Sequence, residues 1–223
     1  MLGKISIHFS RSAKHVLLTL PVVALLAFSL AGSHFAQASA PQVREKVFVI
    51  KGLLNVFSQG MVTLGETLDN NNIDNVVFNH VRWRSYVKEL LDTDEARRPT
   101  HVFIVGHSFG ANAALLMARE LEKQDVEVEY LVTFDGNAPL PAPSNIKHVT
   151  NFWFKGRTVG QPVVAGPGFS GRLENIDLSK VESYGHLNVE KQPALHQIVV
   201  QNILAVLKQA SEPVETLPQP SNL

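Results

Sequence analysis

From about residue 45 onward, apolar positions follow two alternating rhythms. Short, nearly unbroken apolar runs occur at KVFVI (46–50), VVFNHV (76–81), HVFIV (101–105), VEVEYLVTF (126–134), IKHVTNFWF (146–154) and LENIDL (173–178), and each is read as a strand. Between them lie segments with helical spacing. One is entered at Ser58, a good N-cap residue, and runs through QGMVTLGETL; a polar one, WRSYVKELLDTDEARR, is ended by Pro99; a small-residue one covers 111 to 123. In the last, ALHQIVVQNILAVLKQ, residues Leu195, Ile198, Val199, Ile203, Val206 and Leu207 recur at i, i+3, i+4 and predict one buried face, with Pro193 suited to the first turn. Strands without polar alternation are those covered on both faces, and strands alternating with helices make parallel sheets. The pattern therefore predicts an α/β fold: a three-layer α/β/α sandwich around a mostly parallel sheet. The Gly/Pro-rich stretch GRTVGQPVVAGPGFSG (156–171) reads as an excursion from it.

The first forty residues follow a different rule. Lys4, Arg11 and Lys14 precede the apolar run VLLTLPVVALLAFSLAG, and small residues surround FAQASA, where Ala36 and Ala38 form an A-x-A site. That order is a secretory signal peptide, expected to be cleaved after Ala38, with Ala40 marking a second site handicapped by Pro41. The alternative is an uncleaved membrane anchor, for which an apolar run of about 17 residues carrying Pro21 is short. The expectation is an exported protein, periplasmic or extracellular. It would consist of a short segment 39–45, one domain over 46–209 and a loose tail over 210–223 holding Pro213, Pro218 and Pro220.

Composition narrows the chemistry. The 223 residues carry 20 basic and 20 acidic side chains, and removal of residues 1–38 takes away three positive charges and no negative ones, leaving a net charge of −3. No Lys/Arg block marks a nucleic-acid partner. The absence of cysteine excludes disulfides, thiolate metal sites and thiol catalysis. A hydrophobic content of 45% is enough to fill one core.

One motif carries candidate chemistry. GHSFG (106–110) follows the run ending at Val105 and opens the small-residue helix. A serine lifted clear of a sheet needs a sharp strand-to-helix turn with no Cβ two residues to either side, and Gly106 and Gly110 meet that need. The turn also aims the first N–H groups of the helix at the site, so the Phe109 amide could steady a developing oxyanion. A nucleophilic Ser108 requires a base and an acid to orient it. His186 fits by position, between the last strand and the last helix. His107 would point away from Ser108, His196 lies inside a helix, and His80, His101 and His148 lie on or beside strands.

This order, strand, GHSFG, helix, aspartate at a strand end and a late histidine, resembles the α/β-hydrolase superfamily of esterases, lipases and thioesterases, over about residues 45 to 209. The resemblance implies Ser108 as nucleophile, His186 as base, and a second oxyanion donor in the loop Lys51-Gly52-Leu53, for which the Leu53 amide is the candidate beside Phe109. The strand that most often precedes the acid runs here into Lys155-Gly156-Arg157, which has no carboxylate. Asp135, directly after the preceding strand, is therefore the expected acid, with Asp177 the alternative and an Asp-Gly turn the bland reading of Asp135. The implied reaction is two-step acyl transfer to water from a small-molecule or lipid-like ester or thioester, without metal or cofactor. A domain this short leaves little room for a large lid, and the expected borders, Leu53, Leu54, Val56, Phe57, NAPLPAPSN and the Gly/Pro excursion, are largely apolar. Two other classes fit the same pattern. One is a noncatalytic ligand-binding domain on this scaffold; the other is a nucleotide-binding α/β protein, for which G-x-G-x-x-G and a Walker lysine are lacking.

Overall fold

The computed structural model describes residues 43–53, 58–137, 140–157 and 159–212. The signal-peptide reading of 1–38, the tail prolines and the expected borders at Leu54, Val56 and Phe57 lie outside the described residues.

Six strands form one all-parallel sheet: β1 (Glu45–Lys51), β2 (Asn75–Asn79), β3 (His101–His107), β4 (Tyr130–Phe134), β5 (His148–Trp153) and β6 (Arg172–Asp177), in spatial order β2-β1-β3-β4-β5-β6. In register, Phe48 stands opposite Val76 on one side and Ile104 on the other, and Val105 stands opposite Val132. Successive side chains of β1 alternate between faces. Val47 and Val49 meet Met61 and Leu64 of α1 (Gln59–Asn70) and Leu195, Val199 and Ile203 of α4 (Pro193–Ser211) in one apolar cluster. Phe48 and Ile50 meet Trp83, Val87 and Leu90 of α2 (Trp83–Asp92) and Ala114, Ala118 and Leu121 of α3 (Phe109–Glu122) in the other. The protein is thus a three-layer α/β/α sandwich, with α1 and α4 on one face of the sheet and α2 and α3 on the other. Among the described residues no helix is long and apolar enough to cross a membrane.

Four elements differ from the pattern reading. The strand read over 76–81 is β2, which closes at Asn79, and His80–Arg82 form a 3-10 turn. Helix α2 stops at Asp92, because Thr93 turns to extended backbone and the Arg98 guanidinium donates to the carbonyls of Leu91 and Thr93 left open there. The fourth strand begins at Tyr130, preceded by a single bridge from Val128 to Ile146. On α4, Ile198 is 38% exposed while His196 and Val200 are buried, so the covered face is rotated from the predicted one. Pro193 does open the helix.

The strand order places a crevice. From β1 the chain moves outward to β2, then returns past β1 to β3, so the loops leaving the C-terminal ends of β1 and β3 diverge on either side of a topological switch point. The turn 106–110 lies in that crevice. A Cβ at Gly106 would come within 2.2 Å of the Gly110 carbonyl oxygen, and one at Gly110 within 2.2 Å of the Ile50 carbonyl oxygen. Both neighbours are backbone and cannot swing aside. Helix propensity favours Gly110→Ala by about 1 kcal/mol; a collision with backbone at that distance costs about 3 kcal/mol or more. Gly110→Ala is expected to lower the melting temperature by at least about 4 °C, whereas Ser85→Ala on exposed α2 leaves it within about 2 °C. Differential scanning fluorimetry reads both, and an unchanged or raised value for Gly110→Ala would contradict the close approach.

Candidate active site

Strand β3 ends at His107, helix α3 begins at Phe109, and Ser108 between them takes φ 57°, ψ −119°. Left-handed φ on a side chain other than glycine costs about 1–3 kcal/mol and persists only where the surroundings enforce it. Here the Ser108 N–H donates to the Phe134 carbonyl at 2.9 Å and its own carbonyl accepts from the Ala111 N–H at 3.0 Å, so β4 and α3 hold the turn. The hydroxyl does not cap α3, as an N-terminal turn serine usually would. Phe109 contributes the first N–H of the helix and a side chain that is 40% exposed.

His186 approaches Ser108's edge of the sheet from the loop before α4. The structure brings its Nδ1 to 2.7 Å from Oδ2 of Asp135. A carboxylate only accepts, so Nδ1 carries a hydrogen toward Asp135, and in the neutral ring Nε2 is the nitrogen left with the lone pair. Asp135 follows β4 with φ 48°, is fully buried, and donates its N–H to the Phe152 carbonyl at 2.8 Å. Its second oxygen, Oδ1, has no hydrogen-bond partner among the described residues and lies against Gly160, where a Cβ would come within 1.7 Å. Gly160, with φ +86°, belongs to the Gly/Pro excursion, which is pinned to the sheet by polar side chains. Asn175 bonds both the N–H and the carbonyl of Val163, and Asn151 donates to the Gln161 carbonyl at 3.0 Å. Asp177, the alternative acid, sits at the end of β6 and accepts from the N–H groups of Ser179 and Lys155. Those two N–H groups, Ser179 first, hold its carboxyl below the usual aspartate range. Asp177 is thus occupied with a turn.

Leu53 follows Gly52 in the loop after β1, and a methyl placed on Gly52 would lie 3.1 Å from Cβ of Ser108. The loop therefore runs beside Ser108. Ser58, expected as the N-cap of α1, makes no cap bond. Its buried hydroxyl accepts from the Gly52 N–H at 3.0 Å and lies 3.0 Å from Nδ1 of His107. The His107 ring points into the protein, with Nε2 2.9 Å from the His186 carbonyl. Burial pulls this imidazole down to about 4, against the opposing pull of that carbonyl. The sequence marks Ser58 only as an N-cap, His107 as pointing away from Ser108 and His80 as lying on or beside a strand, and does not single out Asn79, because no local spacing marks contacts between distant loops. A groove of about 370 Å³ beside Phe109 is lined by His80, Val81, Trp83, Arg84 and Leu116 among others. Among the described residues no three His, Asp or Glu side chains gather as metal ligands.

Glu190, after His186, is fully buried, and burial pushes its carboxyl up to about 7 despite the opposing charges of Lys191 and His186. The backbone of Gly60, in the first turn of α1, and its own backbone draw the carboxyl back down only in part. An acid whose folded value is raised costs stability only where the unfolded chain is ionised. The cost is absent below about pH 4.5, grows as pH rises through 7, and is complete above it. Glu190→Gln is expected to be more stable than wild type at pH 8 by on the order of 2–3 kcal/mol, the advantage fading as pH falls through that window. Urea midpoints at pH 4.5 and 8 measure it; an advantage that grows toward acid would show that Glu190 is held ionised.

No family model matches the chain, and no curated protein matches it. Among solved structures it is similar to a proposed hydrolase of the alpha/beta superfamily from Xanthomonas campestris pv. campestris, with 15% sequence identity and a TM-score of 0.41, over 74% of this chain and 99% of that one. At that distance no chemistry passes from one protein to the other, and the site stands on its own geometry.

Proposed function

We propose that the protein is a serine hydrolase that cleaves carboxylic ester or thioester bonds by acyl transfer to Ser108. The observation that carries this reading is the 2.7 Å contact of His186 with the buried Asp135, at the sheet edge where Ser108 occupies its strained turn. His186 Nε2 takes the Ser108 hydroxyl proton as Oγ attacks the acyl carbonyl, and Asp135 steadies the imidazolium that forms. The N–H groups of Leu53 and Phe109 receive the developing oxyanion. His186 then protonates the departing alcohol or thiol, and a water activated by the same nitrogen releases the acid from Ser108. The half-exposed apolar side chains of Leu53 and Phe109, with Leu187 beside His186, favour an apolar acyl or aryl ester, small or lipid-like. The charged start, apolar run and small-residue site of residues 1–38 support export to the periplasm or beyond.

A fluorophosphonate probe should label the wild type once, at Ser108, and leave Ser108→Ala unlabelled; mass spectrometry locates the adduct, and an unlabelled wild type sinks the proposal. Asp135→Asn should lower kcat by about 10⁴-fold, with Asp177→Asn within about threefold of wild type because its carboxylate serves a turn. The reverse outcome would transfer the acid to Asp177. Rates on 4-nitrophenyl esters from acetate to palmitate, set against matching thioesters, define the acyl chain and the leaving group.

A further inference from the structure

We propose that Ser58 and His107 act as one positioning unit that registers the Leu53 oxyanion donor against the base His186. The inference rests on the serine hydrolase reading above and concerns how its two halves are kept in step. Donor and base come from loops far apart in sequence, one after β1 and one before α4. A continuous line of hydrogen bonds, two buried and the last partly buried, joins them.

The donor end is set by peptide geometry. The Gly52 carbonyl and the Leu53 N–H belong to one planar trans peptide, so whatever holds the carbonyl aims the N–H in the opposite direction. Asn79 Nδ2 donates to that carbonyl at 3.4 Å and His80 Nδ1 at 3.3 Å. Asn79 is itself oriented, since its Oδ1 accepts from the Val81 N–H at 3.1 Å. On the other side of Gly52, its own N–H donates to Ser58 Oγ at 3.0 Å. The Gly52 unit is thereby held at both ends, and Ser58 is the handle that leads away from it.

The proton positions along the line follow from chemistry. The His186 carbonyl can only accept, so His107 Nε2, 2.9 Å away, carries the ring hydrogen. Nδ1 then has a lone pair and accepts from the Ser58 hydroxyl at 3.0 Å, while Ser58 Oγ accepts from Gly52. Every donor points the same way, from Gly52 through Ser58 and His107 to the backbone of His186. The arrangement needs a neutral ring, and burial keeps it neutral down to about pH 4. Ser58 and His107 are both buried, so removing either side chain's polar atoms strands partners that water cannot replace. His107 is also the last residue of β3 and is bonded directly to Ser108, so the line is tied through the backbone to the nucleophile as well.

An error of about 1 Å in such placement is enough for roughly a 10²-fold loss of rate, and a misplaced oxyanion donor is felt in the transition state rather than in substrate binding. Ser58→Ala and His107→Phe are therefore expected to lower kcat on 4-nitrophenyl butyrate by about 10- to 100-fold, with KM within about twofold and with circular dichroism showing a folded protein at the assay temperature. If the two residues are one unit, the double variant loses no more than about threefold beyond the worse single variant, because the line is already broken. Should His107→Phe not fold, His107→Gln, which keeps a donor but removes the Nδ1 acceptor, replaces it in the same cycle. A fluorophosphonate-labelled wild type whose single variants stay within twofold in kcat, or whose losses multiply in the double variant, overturns this proposal and leaves the hydrolase standing. A wild type that takes no label removes the hydrolase reading and the positioning unit together.

Discussion

The backbone of residues 106–110 lies against the end of β1 with no room for a side chain at either glycine, and most of the site's geometry descends from that contact. It brings the first turn of α3 onto the Ile50 carbonyl, and Ser108 is left with a conformation that only its neighbours make tolerable. The strain is offset by sheet hydrogen bonds on one side, through Phe134, and helix bonds on the other, through Ala111. Because β1 and β3 are adjacent at the switch point of the sheet, the same contact sets the loop after β1 beside Ser108. A looser turn would separate the Leu53 amide from the hydroxyl it is proposed to serve.

Around this turn the protein buries several polar groups and satisfies them unevenly. The line through Ser58 and His107 is complete, and burial holds the imidazole below its ordinary basicity against the pull of the His186 carbonyl. Asp135 has one oxygen on His186 and the other facing the Gly160 backbone, with no hydrogen-bond partner there among the described residues. The Gly/Pro excursion reaches this position because Asn151 and Asn175 hold its backbone to the sheet. At Glu190 burial outweighs the pull of Lys191 and of the Gly60 backbone, and the carboxyl is pushed up to about 7. Polar groups buried and tied to specific partners specify geometry more than they stabilise the fold.

The layer architecture was legible because it rests on local patterning. Apolar runs such as Lys46–Ile50 and His101–Val105 can be covered only on both faces, and the segments between them have the length and spacing of helices. Where the reading slipped, a contact from elsewhere in the chain intervened. Arg98 folds back to end α2 six residues before Pro99 would have stopped it, and the packing of α4 against α1 buries His196 and Val200 in place of Ile198. Ser58 has the chemistry of an N-cap but is drawn off by Gly52 and His107.

By itself the sequence determined the parallel three-layer plan, the sharp turn that carries Ser108 between two glycines, and the presence of Asp135, Asp177 and His186 near strand ends. Those features depend on residue type and on spacing within a few positions. It did not determine which carboxylate meets His186, nor that His107 joins the loop of Leu53 to the loop of His186. Those contacts join residues tens of positions apart, through backbone groups that have the same chemistry in every residue. Only the register of the sheet, and the close approach of its loops at one edge, decides which of them meet.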